Sequence, residues 1–202
     1  IGWCIQYLQD NPTRKLVVSR SFAYNNLTSD VYLNSSGVQY EGPDSYLKSA
    51  LVASGRFLLV NSAGNGGSQY GSYAELDSIM VITGGSDLTG GRGSSSNWGA
   101  YVDVFFCGYG VIGLSTNTTG VGSWSGTSAA APGLAGALVT LWNLMPNKTA
   151  MEMKAMLKDS LNTLTITPQP NSTRRPMLNT WHLLSNQIWD IKHLYSACKK
   201  TI

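Results

Sequence analysis

The chain has 202 residues, of which 43% are hydrophobic and 12% charged, and its formal net charge is +3. That apolar content supplies a full core and excludes a disordered chain, and the length suits one large domain or two small ones. The charged share is about half the roughly 25% usual for soluble domains, so Ser, Thr, Asn and Gly must carry the surface, as in secreted proteins. Apart from Arg174-Arg175 and Lys199-Lys200 the basic residues are scattered, and no nucleic-acid stripe forms.

Ile1, Cys4, Ile5 and Leu8 lie at i, i+3, i+4 and i+7, one apolar helix face, and Asn11-Pro12 ends it. Leu16-Val17-Val18 reads as a short buried strand, followed by Ser21-Phe22-Ala23. The polar run from Tyr24 to Pro43 reads as a long surface loop. Asp44 can cap a helix holding Tyr46, Leu47, Ala50 and Leu51, and Gly55 can end it. Phe57-Leu58-Leu59-Val60 and Ile79-Met80-Val81-Ile82 are continuous apolar runs, typical of strands covered on both faces. The first leads into Ser62-Ala63-Gly64-Asn65-Gly66-Gly67. Gly84 to Asn97 reads as a Gly/Ser-rich loop, and Tyr101 to Phe106 as a further strand. Short apolar strands alternating with helices point to a parallel α/β sheet.

Thr127 to Leu144 is the expected central helix, with a Leu134, Leu138 and Leu141 stripe. Pro132 cannot donate to the carbonyl of Ser128, which loosens the first turn, and Pro146 stops the helix. Thr149-Ala150-Met151-Glu152 is a capping box. The helix it opens carries Met153, Met156, Leu157 and Leu161 on one side, with Met151 a further candidate for core or groove lining. From Thr165 on the pattern weakens. Trp181, Leu183, Leu184, Ile188, Trp189, Ile191 and Leu194 suggest a last helix or an apron over the core. No internal repeat or interdomain linker is visible.

Cys4, Cys107 and Cys198 have no metal-type spacing, and an odd count allows one disulfide with a spare thiol or a bond to another chain. Sequons occur at Asn26, Asn34, Asn117, Asn147 and Asn171, candidate glycan acceptors on a secreted protein. No apolar run reaches membrane-spanning length. A secreted reading implies a leader already removed.

A serine at the mouth of an apolar helix and an asparagine in a glycine turn suit acyl transfer. The serine can attack a carbonyl, and the asparagine amide can donate to the oxyanion that forms. Gly126-Thr127-Ser128-Ala129-Ala130-Ala131-Pro132 resembles the nucleophile motif G-T-S-x-A-x-P of subtilisin-like serine proteases. Ala63-Gly64-Asn65 resembles their oxyanion-asparagine motif. The two lie about 66 residues apart in subtilisin and 63 apart here. Ser21-Phe22-Ala23 resembles the family's S-L-G segment, whose backbone pairs with an extended substrate, with Ala23 in place of the glycine. Phe106-Cys107-Gly108 stands where the family has A-P-G, without the proline. The likeness runs from about Ile1 to Leu161.

The resemblance implies a subtilisin-like α/β fold, a parallel sheet flanked by helices and missing its N-terminal strands. Residues 1–202 would be the C-terminal portion of the catalytic domain, with 165–202 an extension packed on it. It implies Ser128 as nucleophile and Asn65 with the Ser128 N–H as oxyanion hole, the helix dipole adding to the field there. Ser21, Phe22, Ala23, Ser62, Ala63 and Gly64 would bind a peptide or protein substrate. No cofactor is implied, and no acidic loop marks a calcium site.

One departure is large. The family's histidine stands about 157 residues before its serine, which puts it about 29 residues before Ile1, with the aspartate further upstream. His182 and His193 both follow Ser128 and lack the family's context, so both read as ordinary helix residues. Asp103 reads as a locally paired strand residue, and Arg174-Arg175 as solvated surface or a processing site. The first expectation is therefore a two-chain serine endopeptidase, with Asp and His on a separate N-terminal chain that also covers the open sheet. The alternative is an inactive relative serving as a binding, toxin-like or assembly component. A generic α/β domain with accidental matches is a third reading, disfavoured by two motifs in the family's order and spacing.

Overall fold

The computed structural model describes residues 2–21, 44–69, 78–87, 91–99, 102–115, 120–158, 163–165 and 176–178. The chain opens with helix α1 (Gly2–Asp10), which buries Leu8. The backbone and side-chain amides of Asn11 both donate to the Tyr7 carbonyl, at 3.0 and 2.9 Å, and end the helix there. Strand β1 (Leu16–Arg20) follows. Helix α2 (Asp44–Ser54) runs to Gly55, which sits at φ 62° and feeds β2 (Phe57–Ser62). Then come β3 (Met80–Ser86), β4 (Val104–Cys107), β5 (Tyr109–Leu114) and β6 (Val121–Ser125). Helices α3 (Thr127–Leu144) and α4 (Ala150–Lys158) precede two short strands, β7 (Thr163–Thr165) and β8 (Pro176–Leu178).

The main sheet has the order β1-β2-β3-β4-β8-β7. Strands β1 to β4 and β8 pair in parallel, and β7 pairs antiparallel with β8. The anticipated parallel α/β sheet flanked by helices is therefore present. Every residue of β2 and β3 is buried, as a parallel sheet covered on both faces requires. Helix α3 packs across β1, β2, β3 and β4. Its anticipated stripe of Leu134, Leu138 and Leu141 is buried, joined by Ala130, Ala131, Ala135 and Trp142.

Several boundaries differ from the sequence expectation. Strand β1 is only half-buried along most of its length, because among the described residues it is the end strand of the sheet. Leu16 donates to the Arg56 carbonyl of its neighbour, and parallel alternation then turns the backbone groups of Val17 and Ser19 to the outer side. Strand β3 runs on to Ser86, into the stretch anticipated as loop. Strand β4 begins at Val104, later than anticipated, because Asp103 uses its side chain in the ladder. Its Oδ2 accepts the Ile82 N–H at 2.9 Å while its own N–H donates to the Ile82 carbonyl at 2.9 Å. The antiparallel hairpin of β5 and β6 was not anticipated; its Gly-rich, irregular alternation hides the period of two. Met153 and Leu157 of α4 are buried and Met151 is exposed. The loop from Tyr24 to Pro43, Leu161, and the helix or apron around Trp181 to Leu194 lie outside the described residues.

The capping box forms as read. The Thr149 N–H and hydroxyl both donate to Glu152 Oε2, at 2.7 and 2.9 Å, and the Glu152 N–H donates back to Thr149 Oγ1 at 3.3 Å. These bonds from Thr149 hold the Glu152 carboxyl below the ordinary carboxylate range. Lys15 reaches past the end of α3. Its ammonium donates to the carbonyls of Pro146 and Lys148 over the Trp142 ring, where partial burial pushes its pKa down. Among the described residues no helix is long and apolar enough to cross a membrane.

Asp103 and Lys154 form a buried ion pair, 5% and 6% exposed, with Nζ 3.6 Å from Oδ2. It ties α4 to the start of β4, and Asp103 is thus a locally paired residue, as its sequence position suggested. Removing one partner strands the other charge away from water. Lys154→Met keeps most of the packed stem, so its cost reports the charge: a loss of about 3 kcal/mol, read from the urea midpoint at constant slope.

Candidate active site

The two motifs singled out in the sequence meet at the N-terminus of α3. Strand β2 ends at Ser62 and delivers Asn65 in a turn; hairpin β5–β6 ends at Ser125 and delivers Gly126-Thr127-Ser128. The Asn65 Oδ1 accepts the Thr127 N–H at 2.9 Å and the Thr127 hydroxyl at 3.0 Å. The Thr127 hydroxyl in turn accepts the Gly64 N–H at 3.1 Å. Thr127 is fully buried, whereas Asn65 and Ser128 are exposed. Two donors converging on Oδ1 define the oxygen end of the amide, and Nδ2 has no partner among the described residues.

A helix start leaves its first N–H groups without intrahelical partners. Here most are taken. The Gly126 N–H donates to the Gly108 carbonyl at 2.7 Å, the Thr127 N–H to Asn65, and the Ala129 and Ala130 N–H groups to the Gly126 carbonyl. The Ser128 N–H has no partner among the described residues. It stands with Asn65 Nδ2 as a second free donor, at the positive end of the α3 dipole.

Glycine is required at two points of this turn. Gly126 has φ 133°, and a Cβ there would sit 3.1 Å from Asn65 Nδ2. A Cβ on Gly108 would fall 2.7 Å from the Gly126 carbonyl oxygen and 2.8 Å from the Ala130 Cβ. Gly108 therefore keeps its place although the residue before it is Cys107.

Asn97, 3% exposed, shapes the turn around Asn65 and was not singled out in the sequence. Its Nδ2 donates to the Ala63 carbonyl at 2.8 Å, and its Oδ1 accepts the Gly66 and Ser68 N–H groups at 3.0 and 3.1 Å. Its own N–H donates to the Gly64 carbonyl at 2.9 Å. One buried amide thus grips both sides of the turn. It lies in a Ser- and Gly-rich loop, where an asparagine gives no distinguishing signal.

Of the anticipated substrate residues, Ser62, Ala63 and Gly64 are buried. The Ala63 N–H donates to the Thr83 carbonyl and the Gly64 N–H to Thr127, so both donors are already used. The Ser21 hydroxyl donates to the Ser128 carbonyl at 2.8 Å, which brings the end of β1 to the same site. Phe22 and Ala23 lie outside the described residues, as do Asn26, Asn34, Asn117, Asn171, His182, His193, Arg174, Arg175 and Cys198. Asn147 is exposed in the turn between α3 and α4. Cys4 and Cys107 are half-buried free thiols.

The subtilase family model matches residues 5–178, and the chain belongs to that family. It is 27% identical over 181 residues to subtilisin-like protease 5 of Arthroderma otae, covering 83% of this chain and 44% of that protein. It is 33% identical over 138 residues to subtilisin-like protease 1 of Arthroderma gypseum, covering 67% of this chain and 25% of that one. The fold is similar to a cold adapted subtilisin-like serine proteinase, with TM-score 0.62 at 23% identity over 87% of this chain and 59% of the other. It is also similar to the prenylagaramide maturation protease PagA, with TM-score 0.61 at 20% identity over 90% of this chain and 64% of the other. The chain spans less than half the length of these curated relatives.

Thr127 is the joint of the site, and its hydroxyl has a specific structural cost. Thr127→Val keeps the shape but leaves the buried Gly64 N–H unpaired. The expected loss is about 1–3 kcal/mol by chemical denaturation, while Thr127→Ser, which keeps the hydroxyl, loses less.

Proposed function

We propose that this chain is the nucleophile-bearing part of a subtilisin-like serine endopeptidase, cleaving peptide bonds through an acyl-enzyme on Ser128. One observation carries the reading. At the start of α3, Asn65 Nδ2 and the Ser128 N–H have no partner among the described residues, beside the exposed Ser128. Ser128 Oγ adds to the scissile carbonyl, and those two donors hold the resulting oxyanion. Collapse expels the amine, which leaves with the proton that a general base took from Oγ, and the ester left on Ser128 is then cleaved by water. Ser62, Ala63 and Gly64 shape the wall beside the oxyanion position, since the Ala63 and Gly64 N–H groups are spent. Ser21, Phe22 and Ala23 carry the extended substrate chain.

The general base comes from elsewhere in this proposal. The sequence has two histidines, both after Ser128 and neither in the family's context. Among the described residues β1 is the end strand of the sheet, and its outer side presents the backbone of Val17 and Ser19, a row to which an added strand can pair. We assign that edge to an N-terminal chain carrying the triad Asp and His. The Ser, Asn and Thr-rich surface and the exposed Asn147 sequon favour a secreted, glycosylated protein.

A serine-directed peptidyl phosphonate tests the proposal on the complete assembly. Covalent labelling of Ser128, located by peptide mass spectrometry and lost in Ser128→Ala, is the expected result. No labelling would favour the alternative, an inactive binding or assembly component. In the active assembly, Asn65→Ala lowers kcat about 10²- to 10³-fold and changes KM little, because the amide acts on charge that develops only in the transition state.

A further inference from the structure

Pro132 lies inside α3, four residues after Ser128. A proline has no N–H, and its ring crowds the carbonyl one turn back. The Ser128 carbonyl therefore lacks the bond that every interior carbonyl of a helix receives. The Ser21 hydroxyl fills that vacancy from outside the helix, donating to the Ser128 oxygen at 2.8 Å. Ser21 follows the last residue of β1, a strand anchored to β2 over its whole length. Its side chain is thus a tether from the rigid sheet to the peptide unit of the nucleophile.

We infer that the Ser21 hydroxyl is a positioning residue for Ser128, replacing the helix hydrogen bond that Pro132 removes. This rests on the reading of Ser128 as nucleophile and concerns the side chain of Ser21, apart from any role of its backbone along the substrate. The proline frees the nucleophile's peptide unit from the helix, and the serine fixes it to the sheet. The orientation of Oγ is then set by the element that also carries the substrate strand. A helix bond would hold Ser128 to its own helix alone. Ser21 is exposed, so water can take over part of its bond when it is removed; what is lost is the tether, and the effect is moderate.

A double-mutant cycle on the complete assembly tests this. Ser21→Ala should lower both kcat on a peptide substrate and the rate of phosphonate labelling roughly three- to tenfold, with KM nearly unchanged. Ser21→Thr, which keeps the hydroxyl, should restore most of the rate. Pro132→Ala returns an N–H that can reach the Ser128 carbonyl, so in that background Ser21→Ala should cost less than about twofold. An equal loss from Ser21→Ala in both backgrounds overturns the inference, as does no loss in the parent or a Ser21→Thr variant as slow as Ser21→Ala. Failure of the parent itself to label removes the peptidase reading and this inference with it, whereas a labelled parent with a flat cycle removes this inference alone.

Discussion

The site depends on one small hydrogen-bonded knot. Thr127 gives both its N–H and its hydroxyl to the Asn65 oxygen, and its hydroxyl takes the Gly64 N–H. This joins two chain segments that arrive from different strands of the fold. It also determines which end of the Asn65 amide is free. Fixed donors cost no reorganisation when charge appears, so under the proposed function the buried Thr127 is what would make the exposed Asn65 useful. Asn97 supports the knot from behind by gripping Ala63, Gly64, Gly66 and Ser68. Gly108 supports it from below, because only a residue without Cβ lets the Gly126 backbone come so close.

The sheet explains why these parts converge. Strands β1 to β4 are parallel, and Ser21 at the end of β1 and the turn after β2 both meet the start of α3. Ligand sites in open parallel sheets form at the carboxyl ends of the strands. Ser21 and Asn65 occupy such ends, and α3 lies across all four strands. The buried Asp103–Lys154 pair serves a different purpose. It anchors α4 and the start of β4, away from the candidate site, and its cost is met by the Ile82 N–H as well as by the lysine.

Much of this was legible in the sequence for identifiable reasons. The four apolar runs became strands because they are too short for buried helices and lie between turn residues. The limits of α3 were readable because Gly126 and Pro146 bracket it. The Thr149–Glu152 box was readable because capping is local. Other features were hidden because they are not local. Nothing in the sequence places Asn97 behind Asn65, since the contact joins the loops that follow two neighbouring strands, some thirty residues apart in the chain. The late start of β4 comes from an aspartate acting as a ladder group, which no propensity encodes. Hairpin β5–β6 was missed because Gly110, Gly113 and Gly122 interrupt its alternation. The motif told of Pro132's missing N–H, but only the packing of β1 against α3 told which hydroxyl replaces it. An open side of the sheet was expected from the resemblance, but which strand borders it was not readable, since an apolar run reads alike in the middle and at the rim of a sheet.

If Ser128 is the nucleophile, the negative charge that develops must sit between its own N–H and Asn65 Nδ2. The most direct measurement is the crystal structure of the assembly after phosphonate has reacted, in which the phosphonyl oxygen marks the oxyanion position. The Ser128 N–H and Asn65 Nδ2 should each donate to that oxygen at about 2.7–3.1 Å, with Asn65 Oδ1 still held by Thr127. An adduct whose oxygen points away from Asn65, or one in which the amide has left Thr127, would contradict it.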